Sequence, residues 1–332
     1  MKSPIRVVQV GLGPVGQMLT QHLAERKFIS IVGAVDVDPV KKGMDIGEFA
    51  KPAKKTGIRI RPSLKDFEKG EADIAAITTT STLESIAPVL ETAARKGMGV
   101  VSTCEELVYP WRRQPALAKK IDAAAKEGGV AILGTGVNPG YLMDFLPVAL
   151  TAVCRSVTAI RIERIQDASR RRIPFQRKIG TGMTPEEFRS RVEEGKLGHV
   201  GLAESMDMIA AHLGWKLDQT DEATEPVLAE RSTPSGLGTI PPEKVIGLLQ
   251  RARGRMAGKV VLALEFRAVV GSPESRDTVY IDGLPGLSVT IPEGVQGDVA
   301  TCAIVTNAIP VVMGTTPGLK TMIDLPPVSW RA

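Results

Sequence analysis

The chain has 332 residues, of which 43% are hydrophobic and 24% are charged, so it is long enough to form two domains with apolar cores. Its net charge of +5 is small for this length, and only 4% of the residues are aromatic, which argues against a nucleic-acid-binding surface. No apolar run is long enough to span a membrane, and the early start of the first predicted strand leads us to expect no signal peptide. The three cysteines and three histidines lack disulfide or metal-ligand spacing. These features predict a cytoplasmic protein with no metal and no nucleic-acid or membrane partner.

The first predicted strand, residues 7–10, ends in a glycine-rich turn that leads into a predicted helix. Residues 11–16 of this turn read Gly11, Leu12, Gly13, Pro14, Val15 and Gly16. The spacing Gly-x-Gly-x-x-Gly is typical of dinucleotide-binding turns. The first glycine permits the tight turn, the second lets a pyrophosphate approach the backbone, and the third lets the helix pack against the strand. We therefore predict a nicotinamide dinucleotide site here.

An acidic residue follows the second predicted strand. Asp36 lies 20 residues after Gly16, where a carboxylate would accept hydrogen bonds from the ribose hydroxyls of NAD and repel the additional phosphate of NADP. Lys41 and Lys42 follow closely and could reverse this preference by binding that phosphate. The sequence favours NAD and leaves the use of both cofactors open.

A run of hydroxyl residues, Thr78, Thr79 and Thr80, follows the buried strand predicted at residues 73–77. In open α/β sheets, the carboxyl ends of the strands face the cofactor. These hydroxyls could contact the dinucleotide, cap the helix predicted from Leu83, or do both.

The first 150 residues alternate strands and helices, which predicts a Rossmann domain with a doubly wound parallel sheet. Later in this half, a strand at residues 99–103 leads into Cys104, Glu105 and Glu106, and a strand at residues 130–133 leads into a turn rich in glycine.

The pattern then changes to long β segments at residues 156–165, 259–270 and 278–291, which predict a second α+β domain on an open mixed or antiparallel sheet. Residues 167–182 are basic and predict a loop, Thr184 and Pro185 predict a helix start, and residues 298–313 predict an apolar helix before an irregular tail at 317–327.

Several stretches together resemble the 2,4-diaminopentanoate dehydrogenases, which include native amine dehydrogenases and are related to dihydrodipicolinate reductase. The stretches are the glycine turn at 11–16, Ser-Thr-Cys-Glu-Glu-Leu at 102–107, Gly-Thr-Gly-Val-Asn-Pro-Gly at 134–140, Gly-His-Val-Gly-Leu at 198–202 and Pro-Gly-Leu at 317–319. Dihydrodipicolinate reductase itself has a pair of histidines and a lysine where this chain has the segment 165–170, so lysine biosynthesis is not predicted.

The resemblance implies a Rossmann domain at 1–148, a substrate-binding and dimerisation domain at 149–296, and a C-terminal helix and tail at 297–332 that return to the first domain. It also implies NAD- or NADP-dependent oxidative deamination of an amine, the reverse reductive amination of a ketone or aldehyde with ammonia, and a homodimer.

Glu105 and Glu106 are the candidate catalytic residues. Loss of hydride from a carbon that bears nitrogen leaves an iminium, and a nearby carboxylate would stabilise its positive charge or accept a proton. If this segment is extended, only one of the two side chains enters the pocket. The resemblance favours Glu105, and both residues could instead cap a helix start.

Asn138 is a candidate for binding the nicotinamide carboxamide, and the alternative is a turn asparagine that bonds its own backbone. Tyr141 and Phe145 could line the substrate pocket or pack the hinge. Arg164 and Gln166, two apart on one strand, share a face and could line the pocket from the second domain.

Three further features are candidates for the pocket. The arginine run 170–172 could bind a substrate carboxylate or form a solvated loop. His199, flanked by Gly198 and Gly201, could line the pocket or form a structural turn, and Thr301 lies early in the last predicted helix.

Two alternatives to an amine dehydrogenase remain at this point. One is another oxidoreductase on the same scaffold, similar to dihydrodipicolinate reductase or homoserine dehydrogenase. The other is a non-catalytic protein that senses NAD or NADP.

Overall fold

A computed structural model describes residues 3–49, 55–169 and 171–331. The chain folds into two compact units. The first contains Met1–Tyr141 and Gln296–Ala332, and the second contains Leu142–Val295.

The strands, in chain order, are β1 Ile5–Val10, β2 Ile29–Val35, β3 Ile60–Arg61, β4 Ile74–Ile77, β5 Gly99–Ser102, β6 Ala131–Gly134, β7 Ser156–Asp167, β8 Gln219–Leu228, β9 Thr233–Ser235, β10 Gly238–Ile240, β11 Val245–Met256, β12 Lys259–Val269, β13 Arg276–Leu284, β14 Leu287–Pro292 and β15 Gly318–Lys320. The α-helices are α1 Pro14–Ala24, α2 Leu83–Arg95, α3 Pro115–Glu127, α4 Phe145–Leu150, α5 Ile173–Lys178, α6 Pro185–Glu193, α7 Leu202–His212 and α8 Gly297–Val312.

The first unit is built on a seven-stranded sheet in the order β15-β6-β5-β4-β1-β2-β3. All of its neighbouring strands are parallel. The helix α1 packs with α8, and α2 packs with α3. Right-handed crossovers that run in opposite directions from β1 place these two pairs on opposite faces of the sheet. The predicted doubly wound Rossmann fold is confirmed.

The core beneath α2 and α3 shows why these segments fold as they do. Val8 and Val10 on alternate positions of β1 pack in one cluster with Ile86, Leu90 and Ile121, all of them buried. The helical residues recur at intervals of three or four, so each helix presents one apolar stripe to the sheet.

The second unit contains a six-stranded sheet in the order β14-β13-β7-β12-β11-β8. The pair β7 and β12 is parallel, and the other neighbouring pairs are antiparallel, so the predicted mixed sheet is confirmed. The helix α7 packs against β11 and β12. The start of α6 is also as predicted, because Thr184 and Glu187 form a capping box around Pro185.

The structure differs from the sequence prediction at several elements. The helix α5 lies within the segment 167–182 predicted as a loop, and Pro174 fits its first turn. The β segment predicted at 278–291 is two antiparallel strands, β13 and β14. The tail predicted as irregular contains β15, which pairs with β6 and is therefore held by a partner distant in sequence.

Among the described residues, no helix is both long enough and apolar enough to cross a lipid bilayer. The same residues contain no group of three or more histidine, cysteine, aspartate or glutamate side chains placed to hold a metal ion.

Candidate cofactor and catalytic site

The carboxyl ends of four strands of the first unit are aligned in one row. The register pairs Val10 of β1 with Ile77 of β4, Ile77 with Ser102 of β5, and Ser102 with Gly134 of β6. The glycine turn, the threonine run, the glutamate pair and the Asn138 loop each follow one of these strands. Asp36 follows β2, whose last residue Val35 also pairs with Val10. The fold therefore brings these candidate residues to one sheet edge, which we call the carboxyl edge.

The three glycines of the turn meet different surroundings. Gly11 has φ +88°, and a Cβ at this position would lie 2.8 Å from the Thr78 carbonyl oxygen. At Gly16, a Cβ would lie 1.9 Å from the carbonyl oxygen of Gly11, so the start of α1 packs directly against the turn. At Gly13, a Cβ would meet no atom of the described residues within 4 Å. Two glycines are thus required by packing, and the third leaves open backbone that a ligand can approach.

The N-terminus of α1 is available to bind an anion. Gly13 is the N-cap, Pro14 follows it in the first turn, and in the described chain no side chain caps this end and no acidic residue lies in the first turn. Val15 is half-buried in the same turn. The first N–H groups of a helix and its dipole favour a phosphate group at such a position.

Thr78 supports the glycine turn from the neighbouring strand. Its Oγ1 donates a hydrogen bond to the Gly11 carbonyl oxygen at 2.9 Å, and Gln9 Nε2 donates to the same oxygen at 2.9 Å. Thr79 is exposed, and Thr80 Oγ1 lies 3.4 Å from Thr82 Oγ1. The Thr78 hydroxyl therefore orders the turn, and a direct contact of Thr79 or Thr80 with a cofactor stays a prediction.

Asp36 comes directly after β2, and only 8% of it is exposed. One carboxylate oxygen accepts from the backbone N–H of Leu12 at 2.7 Å, and the other accepts from that of Asp38 at 2.9 Å. Lys41 Nζ lies 3.0 Å from the first of these oxygens. Burial raises the pKa of Asp36, but these hydrogen bonds and the lysine outweigh it and hold the pKa below its usual value.

These residues fit a dinucleotide. The open backbone at Gly13 and the uncapped start of α1 would hold the pyrophosphate, and the charged carboxylate of Asp36 would accept from ribose hydroxyls.

Glu105 and Glu106 lie in a 3₁₀ turn, Glu105–Leu107, and not in an extended segment as predicted. Glu106 Oε2 accepts from the backbone N–H of Leu83 at 2.7 Å and from Gln114 Nε2 at 2.8 Å. Glu106 therefore caps the start of α2, where the N-cap residue Thr82 makes no side-chain capping bond among the described residues. Successive side chains of a 3₁₀ helix diverge by about 120°, so half-buried Glu105 points in another direction.

Cys104, which begins this turn, is a buried thiol. Burial raises its pKa to about 12, so the thiol stays neutral and packs as a small apolar side chain.

The Asn138 loop is attached to α8. The backbone N–H of Val137 donates to Thr301 Oγ1 at 3.2 Å, so the Thr301 hydroxyl holds this loop. The Asn138–Pro139 peptide bond is cis, and Asn138 is buried. At Gly140, φ is +124° and a Cβ would lie 2.5 Å from the Gly136 nitrogen, so this compact loop requires glycine.

In the second unit, Arg164 and Gln166 hold the backbone of Val295. Arg164 Nη2 and Gln166 Nε2 donate to the Val295 carbonyl oxygen at 3.0 and 3.1 Å. Asp277 accepts from the Val295 N–H at 2.7 Å and pairs with Arg164 at 3.0 Å. We call these four residues the Val295 clamp.

The charges of the Val295 clamp are buried. Arg164 is only 2% exposed, and burial lowers its pKa to about 10 although Asp277 opposes this shift. Burial raises the pKa of Asp277, and Arg164 opposes that shift in turn. Each charge is stable in this environment only because the other lies beside it.

Of the arginine run, Arg171 donates to Gln166 Oε1 at 3.0 Å and lies over the Phe175 ring, Arg172 precedes α5, and Arg170 lies outside the described residues. The clamp contacts show structural roles for Arg164 and Gln166, and their predicted roles in a substrate pocket stay predictions.

His199 is fixed through its backbone. Gln250 Oε1 accepts from the His199 N–H at 2.8 Å, and Gln250 Nε2 donates to the His199 carbonyl at 2.9 Å. The imidazole packs on Phe266 with the ring centres 4.9 Å apart. The structure thus gives His199 a fixed place in the second unit.

Tyr141 and Phe145 lie on either side of the boundary between the two units along the chain. Tyr141 is half-buried and ends the first segment of the first unit. Phe145 begins α4, and its N–H donates to the Asp144 carboxylate at 2.6 Å. Their choice between pocket lining and packing stays open.

Sequence reasoning missed Gln9, Gln250 and Asp277, which support the candidate residues. Each is a polar residue buried within a strand. A glutamine within the apolar run of β1 is a detectable signal, because a buried polar group requires a partner.

This chain resembles known dehydrogenases in both sequence and structure. Residues 141–330 match the 2,4-diaminopentanoate dehydrogenase C-terminal domain. The 2,4-diaminopentanoate dehydrogenase of Acetoanaerobium sticklandii is 32% identical over 330 residues, which cover 97% of this chain and 93% of that protein.

Two amine dehydrogenases are also similar. One from Streptomyces virginiae is 22% identical over 97% of this chain and 96% of its own length. The solved structure of one from Mycobacterium smegmatis superposes with a TM-score of 0.87 at 26% identity, and the match covers 99% of this chain and 98% of that one. The chain is an oxidoreductase that belongs to the 2,4-diaminopentanoate dehydrogenase family.

Proposed function

We propose that this protein is an NAD(P)-dependent amine dehydrogenase, which deaminates an amine oxidatively and, in reverse, aminates a ketone or aldehyde with ammonia. One structural observation supports this proposal. The carboxyl edge that fits a dinucleotide also carries two adjacent carboxylates, Glu105 and Glu106, and Glu106 caps the start of α2. The family relationship supports the same chemistry.

The reaction sets what the protein must supply. An amine, water and the oxidised cofactor give a carbonyl compound, ammonia, the reduced cofactor and a proton. Hydride leaves the carbon that bears nitrogen, water adds to the resulting iminium, and the carbon–nitrogen bond then breaks. When bound, the nicotinamide supplies the hydride acceptor.

We assign the proton and charge handling to Glu105. A carboxylate at this position would stabilise the positive iminium and accept a proton from the water that attacks it. Glu106 is less suited, because its Oε2 already accepts two hydrogen bonds, one of them from the start of α2.

The rest of the carboxyl edge would hold the cofactor. The start of α1 and the glycine turn would bind the pyrophosphate, Asp36 the adenosine ribose, and Asn138 the nicotinamide carboxamide. The substrate is an amine of small size, and 2,4-diaminopentanoate is the first candidate because a relative is named for it. We also propose a homodimer, which sedimentation equilibrium would measure.

The test is a panel of small ketones, amino-ketones and aldehydes incubated with ammonia and either NADH or NADPH, with absorbance at the reduced-cofactor band as the readout. We expect oxidation of the cofactor that requires both ammonia and one of the carbonyl compounds. Each carbonyl compound without ammonia is the control, and turnover without ammonia on a carbonyl compound would instead indicate an ordinary alcohol dehydrogenase. Cofactor binding without any turnover would contradict the proposal and favour a sensor protein.

A further inference from the structure

The lysine beside Asp36 bridges two parts of the carboxyl edge. Lys41 Nζ donates to Asp36 Oδ2 at 3.0 Å and to the Leu12 carbonyl oxygen at 3.3 Å. Leu12 belongs to the glycine turn after β1, and Asp36 follows β2. The ammonium group is thus held where the two strands end, and its side chain is only 20% exposed.

The position of Lys41 is set by its own loop. Its backbone N–H donates to the Asp38 carbonyl at 3.0 Å, and the N–H of Met44 donates to the Lys41 carbonyl at 3.0 Å. The N–H of Gly43 donates to Ile60 of β3 at 2.9 Å. The loop is therefore tied to the sheet, and Lys41 does not depend on an exposed, freely rotating segment for its place.

The positive and negative charges of residues 36–42 are equal in number. Asp36, Asp38, Lys41 and Lys42 carry two negative and two positive charges within seven residues. An isolated carboxylate at Asp36 would repel a phosphate on the ribose 2′-oxygen. Here, Asp36 Oδ2 is paired with the Lys41 ammonium group, so the positive charge offsets the repulsion between Asp36 and a phosphate.

An ammonium group has three donors, and Lys41 uses two of them on Asp36 and Leu12. Asp38 Oδ2, at 3.7 Å, is beyond hydrogen-bond distance. A ribose whose hydroxyls bind Asp36 would place its 2′-oxygen close to Lys41 Nζ, within reach of the remaining donor.

We propose that Lys41, and not Lys42, sets the relative affinity for NADPH and NADH, by neutralising Asp36 and binding the 2′-phosphate. This inference rests on the proposed dinucleotide site and adds to it the residue that admits the second cofactor.

The test is the dissociation constant of NADH and of NADPH, measured by fluorescence titration of the purified protein without substrate. We expect the unaltered protein to bind both within about tenfold of each other. Lys41→Ala should weaken NADPH by about 10- to 100-fold, the value of one charge-assisted hydrogen bond. NADH should change by less than about threefold, because Asp36 stays available to the ribose.

Two variants and one ligand pair control the result. Lys42→Ala removes the exposed neighbouring charge and should leave the NADPH to NADH ratio within about threefold of the original. Lys41→Arg keeps the charge and should keep NADPH binding. ADP-ribose and its 2′-phosphate, titrated by calorimetry, should show the same ratio without any nicotinamide.

Equal weakening of both cofactors by Lys41→Ala, no change in either, or rejection of NADPH by the unaltered protein would overturn this inference alone. Failure to bind either cofactor would overturn it together with the proposed dinucleotide site. The expected binding pattern without ammonia-dependent turnover would support it and contradict only the proposed amine chemistry.

Discussion

The carboxyl edge of the first unit and the Val295 clamp of the second unit use polar side chains in different ways. At the carboxyl edge, Asp36 and Glu106 each bond a nearby backbone N–H at the end of a strand or the start of a helix. The result is an ordered turn with open backbone at Gly13. In the Val295 clamp, Arg164 and Asp277 satisfy each other and the Val295 backbone.

The two regions therefore differ in whether their polar groups can still bind a ligand. A group that orders the backbone and keeps spare hydrogen-bonding capacity can also bind a ligand, whereas a buried ion pair that closes on itself stabilises its own unit. Variants in the Val295 clamp should therefore change the free energy of unfolding most, and variants of Glu105 and Lys41 at the carboxyl edge should change turnover or cofactor binding.

The largest effect on stability is expected in the Val295 clamp. Asp277→Ala leaves the Arg164 guanidinium, which is 2% exposed, without its counter-charge. Removing one partner of a buried pair costs about 3–5 kcal/mol, so urea denaturation should show a loss of this size. Asp282→Asn, on the same strand but exposed, is the matched control and should change the free energy of unfolding by less than about 0.5 kcal/mol. A loss at Asp277 no greater than at Asp282 would contradict the role of the clamp.

A smaller effect is expected at the cap of α2. Glu106→Ala removes the acceptor of the Leu83 N–H and should lower the free energy of unfolding by about 1 kcal/mol, the usual cost of losing a helix cap. Glu106→Gln retains an acceptor oxygen and should lose less than Glu106→Ala in the same denaturation experiment. If both variants were as stable as the unaltered protein, the cap would not matter energetically.

The sequence predicted the first unit well because its signals are local. The glycine turn, the apolar strands and the helices between them are each recognised from residues a few positions apart. The parallel sheet and the row of strand ends at the carboxyl edge follow from that alternation of strands and helices.

The second unit was harder to predict because its partners are distant in sequence. The strand β8 carries charged residues and a proline, and it is held by pairing with β11. Arg164 meets Asp277 across 113 positions. The glutamate pair was hard to predict for the same reason. The hydrogen bond from the Leu83 N–H to Glu106 spans 23 positions. No local pattern indicates which of the two carboxylates caps the helix.

The assignment of Glu105 is tested most directly by the steady-state turnover of Glu105→Gln beside that of Glu106→Gln, with cofactor binding titrated in parallel. We expect Glu105→Gln to lose about 100-fold or more in kcat, because a positioned electrostatic or proton-accepting group is removed. Its cofactor dissociation constant should stay unchanged, and Glu106→Gln should keep most of its turnover. Full turnover in Glu105→Gln, or an equal loss in Glu106→Gln at unchanged stability, would contradict the assignment of Glu105.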